Sequence, residues 1–381
     1  SVRATRLASI EVSAALAATI TASICVTGVL AGYAAAVLQG LPVGAQSLLL
    51  NFSNPRFPAQ LQALTIPLLP LAARLAPTRF WRVYLIGVAS LWWMCLIGSA
   101  SRTAWIALTV AALLIPFFGV EGRRWLKWQL LFALIGAALW IALFHVMPSL
   151  LGIESTPETG RFSEFGSMSG RLRLWQQCID AALAHPLLGI GPMHFAYINK
   201  GEAGHPHNFW LQMAAEWGIP AALLIGGATL ALIAALARKI RAQTDAASRG
   251  VGIALLAAII AWSVGTLADG YMVIPTSQAM SAVVFALAMM WLRLGCAPAH
   301  DGGAAGNRIV AVASTALLAI ALTILIALPA TQFGRPVSRA AAWRGDPLPH
   351  YALPRFWQQG LIGPDADATA GVELGSGEAR K

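Results

Sequence analysis

Apolar runs long enough to cross a lipid bilayer recur along this 381-residue chain, and nothing else in the sequence constrains its fold as strongly. A helix needs about 20 apolar residues to cross the hydrocarbon core, where it must satisfy its own backbone hydrogen bonds. Such runs lie near 12–38, 60–76, 80–98, 103–120, 126–148, 208–236, 250–268, 275–294 and 309–330. They are continuous rather than alternating, which excludes a β-barrel. Only 11% of the residues are charged, against about 25% in a soluble domain, too few to cover a water-facing surface of this size. The expected fold is all-α, a polytopic bundle of transmembrane helices. Pro67 and Pro70 predict a kink in the second run.

A net charge of +10 would suggest nucleic acid in a soluble protein. Here the basic residues sit mainly in short clusters between apolar runs: Arg3 and Arg6; Arg74, Arg79 and Arg82; Arg123, Arg124 and Lys127; Arg238, Lys239, Arg241 and Arg249; Arg293 and Arg308. Nine spans put every cluster on one side, which is the cytoplasm by the positive-inside rule, and no nucleic-acid partner is expected. The connections 39–59, 99–102, 149–207 and 269–274 then fall on the other face. The chain divides into helices over 1–148, a large outer loop over 149–207, helices over 208–330 and a polar tail over 331–381. Four separated cysteines give neither a disulfide framework nor a CxxC metal site. With Ser1 first and Arg3 and Arg6 ahead of a long apolar run, the chain reads as truncated at its N-terminus rather than as starting with a signal peptide.

The loop 149–207 is too long for a plain connection. Residues 169–183 predict an amphipathic helix, with Ser169 as N-cap and Leu172, Trp175, Ile179 and Ala182 as its apolar stripe. HPLLGIGP, 185–192, reads as a turn. Basic residues also stand on this outer face: Arg56, Arg102, Arg161, Arg171 and Arg173. Arg102 lies at a helix junction near the hydrocarbon boundary, where an arginine calls for an anionic partner or snorkels to lipid phosphate. Arg171 and Trp175 share a helix face at i, i+4, and Arg173 points elsewhere. In GHPHNFWLQMAAEWGIP, 204–220, Pro206 suits the first turn of a helix, which sets His207 and Asn208 near an anion-binding N-terminus. A neutral His207 there is a candidate general base, against the plainer role of a helix cap. A metal pair of His205 and His207 is disfavoured, because i, i+2 at a helix start points the rings apart. Asp180, Glu202, Glu216 and Asp269 are anchors or further candidates, Glu216 as a partner for an arginine. The whole set suits a membrane-embedded anionic substrate such as a lipid-linked phosphate or diphosphate.

Four stretches resemble the O-antigen ligase and polymerase superfamily of bacterial inner membranes: NFSNPRFPAQLQALTIPLLP (51–70), GSASRTAWIAL (98–108), SGRLRLWQQCIDAALAHPLLGIGPMHF (169–195) and HPHNFWLQMAAEWGIPAALL (205–224). The resemblance implies a GT-C-type membrane glycosyltransferase that needs neither metal nor cofactor. It implies a donor, a glycan on undecaprenyl diphosphate, and an acceptor sugar of lipid A core, joined at the periplasmic face. His207 matches the family's essential histidine, and Arg102 and Arg171 its diphosphate-binding arginines. Arg56, Arg173, Trp175, Asn208, His205 and Arg161 stand beside motif positions as candidate substrate-binding residues. Ala221 departs from the family, which has Gly, Thr or Tyr there. An O-antigen polymerase or a protein O-oligosaccharyltransferase would share the donor. A transporter of a polyanionic lipid is the reading from another class, and the chain lacks the repeat symmetry expected of one.

Overall fold

A computed structural model describes residues 2–44, 56–156, 171–195 and 205–294. They fall into two compact units. The first takes its described residues from 2–156 and 225–294, the second from 171–195 and 205–224. The expected ninth span at 309–330, the tail 331–381, Arg161, Ser169, Glu202 and Cys296 lie outside the described residues.

The first unit begins with α1 (Val2–Leu38), α2 (Arg56–Thr65), α3 (Leu69–Leu75), α4 (Arg79–Ser99), α5 (Arg102–Leu114), α6 (Val120–Ile141) and α7 (Met147–Leu151). The second holds α8 (Arg171–Ala184) and α9 (Phe209–Trp217). α10 (Ile219–Ala242) starts in the second unit and runs into the first, which continues with α11 (Ala246–Gly265) and α12 (Pro275–Arg293). Two short strands, β1 (Val43–Gly44) and β2 (Ser155–Thr156), pair in parallel. Among the described residues six helices are long and apolar enough to cross a membrane: Ala4–Leu38, Arg79–Ser99, Val120–Leu151, Ile219–Ala242, Ala246–Gly265 and Pro275–Arg293. Arg102–Phe118 is a shorter apolar helix. The single span expected over 208–236 is instead two helices broken at Gly218, whose φ of +91° no helix accommodates.

The second apolar run is the hub of the first unit. Residues 58–73 are all buried, and the helix is interrupted by a 3₁₀ turn at Ile66–Leu68, which contains Pro67 and is followed two residues later by Pro70. Proline removes a backbone donor, and in a membrane the carbonyls this frees need new partners. α6 supplies them: Gln129 Nε2 donates to Ile66 O at 2.9 Å and Trp125 Nε1 to Pro67 O at 2.9 Å. Gln129 Oε1 in turn accepts from Trp93 Nε1 at 3.2 Å, which ties in α4. Gln129→Ala should therefore lower stability by about 1–3 kcal/mol, the cost of buried polar groups left unpaired. Thermal unfolding in detergent reads this, and an unchanged midpoint would mean the carbonyl is satisfied in some other way.

Contacts gather the basic clusters at one end of this unit. Arg74 pairs with Glu11 of α1 and donates to Ala247 O at 3.2 Å. Arg249 donates to Phe118 O at 3.0 Å. Lys239 donates to the carbonyls of Trp291, Leu292 and Leu294, closing the C-terminus of α12. Since α2, α5 and α12 run toward that end, Arg56, Arg102 and the 266–274 connection stand at the opposite one.

Candidate functional site

In the second unit α8 packs on α9 through Leu174, Cys178, Phe195 and Ala215, with Trp175, Ala181 and Leu211 at the margin. The buried face is thus Leu174, Cys178 and Ala182. The expected stripe is off by part of a turn, since Leu172 is 59% and Ile179 39% exposed. The reason is Cys178, a small and readily buried side chain that lets the two helices approach. Burial, then the Glu216 carboxyl, push its thiol up to about 12, so it stays an inert core group.

The turn predicted at 185–192 is locked to the end of α9 by backbone alone. Ile190 N donates to Ala215 O at 2.8 Å, Gly191 N to Glu216 O at 3.1 Å, and Ile219 N to Pro186 O at 2.9 Å. Glu216 does not pair with an arginine as expected. Its buried carboxylate accepts from Phe195 N at 3.3 Å and from Gln212 Nε2 at 3.3 Å, which holds the chain leaving the turn. Burial raises its pKa above the usual range, and hydrogen bonds from the 193 and 195 amides and Gln212 pull it back.

Hydrogen bonds from α8, from α9 and within the segment itself fix 205–208. Trp175 Nε1 reaches from α8 to Pro206 O at 3.0 Å. The backbone N–H of His207 donates to His205 Nδ1 at 3.1 Å. Asn208 is the N-cap of α9, its Oδ1 accepting from Leu211 N at 3.1 Å. Pro206 therefore lies ahead of the helix, not in its first turn. His207 has φ +55°, a left-handed conformation that costs a non-glycine residue about 1–2 kcal/mol. This reversal turns the His205 and His207 rings together, not apart: their centroids are 4.1 Å from each other in a T arrangement. Among the described residues no group of three or more His, Cys, Asp and Glu forms a metal-sized cluster.

Of the sequence-derived candidates, the structure brings together Arg171, Trp175, His205, His207 and Asn208. Arg171 is near enough that its charge disfavours protonated His205. Arg173 is exposed on another face of α8. Arg56 and Arg102 belong to the first unit, each as the first residue of its helix, α2 and α5. Sequence reading missed Gln60 and Ser277, which build the buried surroundings of Asp269. Gln60 Nε2 donates to Asp269 Oδ1 at 2.9 Å and accepts at Oε1 from Ser277 Oγ at 3.1 Å. The available signal was polar residues inside apolar runs, which need internal partners.

His205 is 8% exposed, and burial, then Arg171, lower its pKa to about 4. A histidine with a depressed folded-state pKa contributes stability above its unfolded value near 6.5, and this is lost as pH falls toward 4. Acidifying from pH 7 to pH 5 should thus cost the second unit about 2 kcal/mol, with Glu216 offsetting part of it because its shift is upward. Faster amide exchange across 171–217 at pH 5, after correction for intrinsic rates, checks this.

Residues 86–226 match the family model described as O-antigen ligase, a stretch that includes Arg102 and the whole described second unit. No curated protein matches the chain. A helical membrane fold of the GT-C-like kind and the order of these motifs agree with that match, and residues 86–226 are similar to the O-antigen ligase family.

Proposed function

We propose that the chain transfers O-antigen glycan from undecaprenyl diphosphate to a sugar hydroxyl of lipid A core, at the periplasmic face of the bacterial inner membrane. The observation that carries this reading is the corner in which Arg171, Trp175 and the 205–208 segment meet, inside the matched family domain. His207 takes the proton of the acceptor hydroxyl. The acceptor oxygen attacks the anomeric carbon as the bond to the diphosphate oxygen breaks, with inversion. Arg102 and Arg171 offset the charge on the departing undecaprenyl diphosphate. Trp175 and Asn208 hold the segment that carries His207. Arg56, Arg173 and Arg161 are further cationic contacts for the donor. The basic end of the first unit faces the cytoplasm, as the positive-inside rule requires. In sequence, the loop that bears the site lies between the 1–148 and 208–330 segments, and 331–381 follows.

The reaction needs no metal or cofactor in this scheme. The test is transfer in vitro from an undecaprenyl-diphosphate glycan, with lipid A core, free O-antigen on its own carrier, or protein offered in turn, each with and without chelator. Label on lipid A core alone supports a ligase. Label on the growing glycan makes the chain a polymerase, label on protein an oligosaccharyltransferase. Loss of activity in chelator would overturn the metal-free scheme.

A further inference from the structure

We infer that His205 is a positioning residue for His207: its imidazole Nδ1 accepts the His207 backbone N–H and so holds His207 in the left-handed conformation from which its ring is presented. This rests on the reading of His207 as the base. Three facts carry the inference. The bond spans two residues at 3.1 Å, and His207 has φ +55°. A residue held in a sparsely populated backbone conformation needs surroundings that impose it. The rings then meet edge to face at 4.1 Å, with His205 buried beneath. Trp175 and His205 hold opposite ends of one peptide, Pro206 O and the His207 N–H, and the Asn208 cap fixes the chain after His207, so the φ of His207 is set from both sides.

The bond also fixes the tautomer. A ring nitrogen that accepts carries no proton, so His205 is neutral with its hydrogen on Nε2. Among the described residues, Arg171 and the His207 ring face it, and Arg171 favours the same neutral form.

The test uses the full chain in lipid nanodiscs. Asparagine places Oδ1 where histidine has Nδ1, and glutamine places its amide near Nε2. His205→Ala should lower kcat by about 10²-fold, the scale of an ångström's misplacement of a reacting group, and speed exchange of the His207 amide. His205→Asn should restore the greater part of both, whereas His205→Gln should restore neither. Recovery by glutamine and not asparagine would overturn the proposal, because His205 would then act through Nε2. Unchanged exchange of the His207 amide in His205→Ala would overturn it as well. The base reading fails separately: His207→Ala with full transfer would refute that reading, while a His207 amide protected in wild type and exposed in His205→Ala would still establish the clamp.

Discussion

Replacing His207 with alanine should lower kcat for glycan transfer by about 10²–10⁴-fold, the usual contribution of a positioned general base. Donor binding should change little, since the diphosphate is assigned to Arg102 and Arg171. Alanine alone would confound chemistry with backbone, because His207 sits at φ +55°. Asparagine separates the two: it tolerates the left-handed region and has no basic nitrogen. His207→Asn should keep the Asn208 cap and the Trp175–Pro206 bond, yet be as slow as the alanine variant. Arg171→Ala should instead weaken donor binding. A His207→Asn enzyme within a few-fold of wild type would remove His207 from the chemistry and leave it the role of shaping the start of α9.

The membrane class was legible in the sequence because it depends only on length and apolarity, and a continuous run such as 250–268 survives as α11 almost unchanged. Breaks were legible where the residue itself forces them. Pro67 and Pro70 announced the interruption in the second run, but not that Gln129 and Trp125 of α6 would answer it. Partners so distant in sequence leave no local pattern. Gly218 was harder to read: an apolar run continues through it, and only its φ and the backbone beside it show that α9 ends there. For the candidate site, Arg171 and Trp175 lie on the helix the spacing predicted, whereas Asn208 caps α9 from outside it. The His205–His207 pair departs from expectation, because a helical start was assumed for a segment that reverses at His207. The α8 stripe erred for a related reason: two apolar rows were available, and tertiary packing, not periodicity, chose the one with Cys178.

Gly218→Ala should disable the protein through structure alone, by several kcal/mol in the second unit. Two costs combine. Alanine at φ +91° is strained, and its Cβ would stand 2.2 Å from Leu187 O and 2.5 Å from Leu187 C. These are backbone atoms of the 185–192 turn and cannot rotate aside. Gly189 makes the reciprocal approach, its Cβ position 2.4 Å from Glu216 C. The two glycines therefore let two stretches of backbone lie against each other, and the bonds from Ile190, Gly191 and Ile219 form only at that distance. Substitution separates them, releases the Glu216 grip on the chain after the turn and loosens the α9 end that follows Asn208. Transfer should fall to background and amides over 185–195 should lose protection. Gly227→Ala is the control: it lies inside α10 with open space around it, and alanine favours a helix by about 1 kcal/mol over glycine. That variant should keep activity and protection. Should Gly218→Ala behave like Gly227→Ala, the turn and α9 would not be locked by backbone, and the glycine after the His-Asn motif would owe its place to something other than close approach.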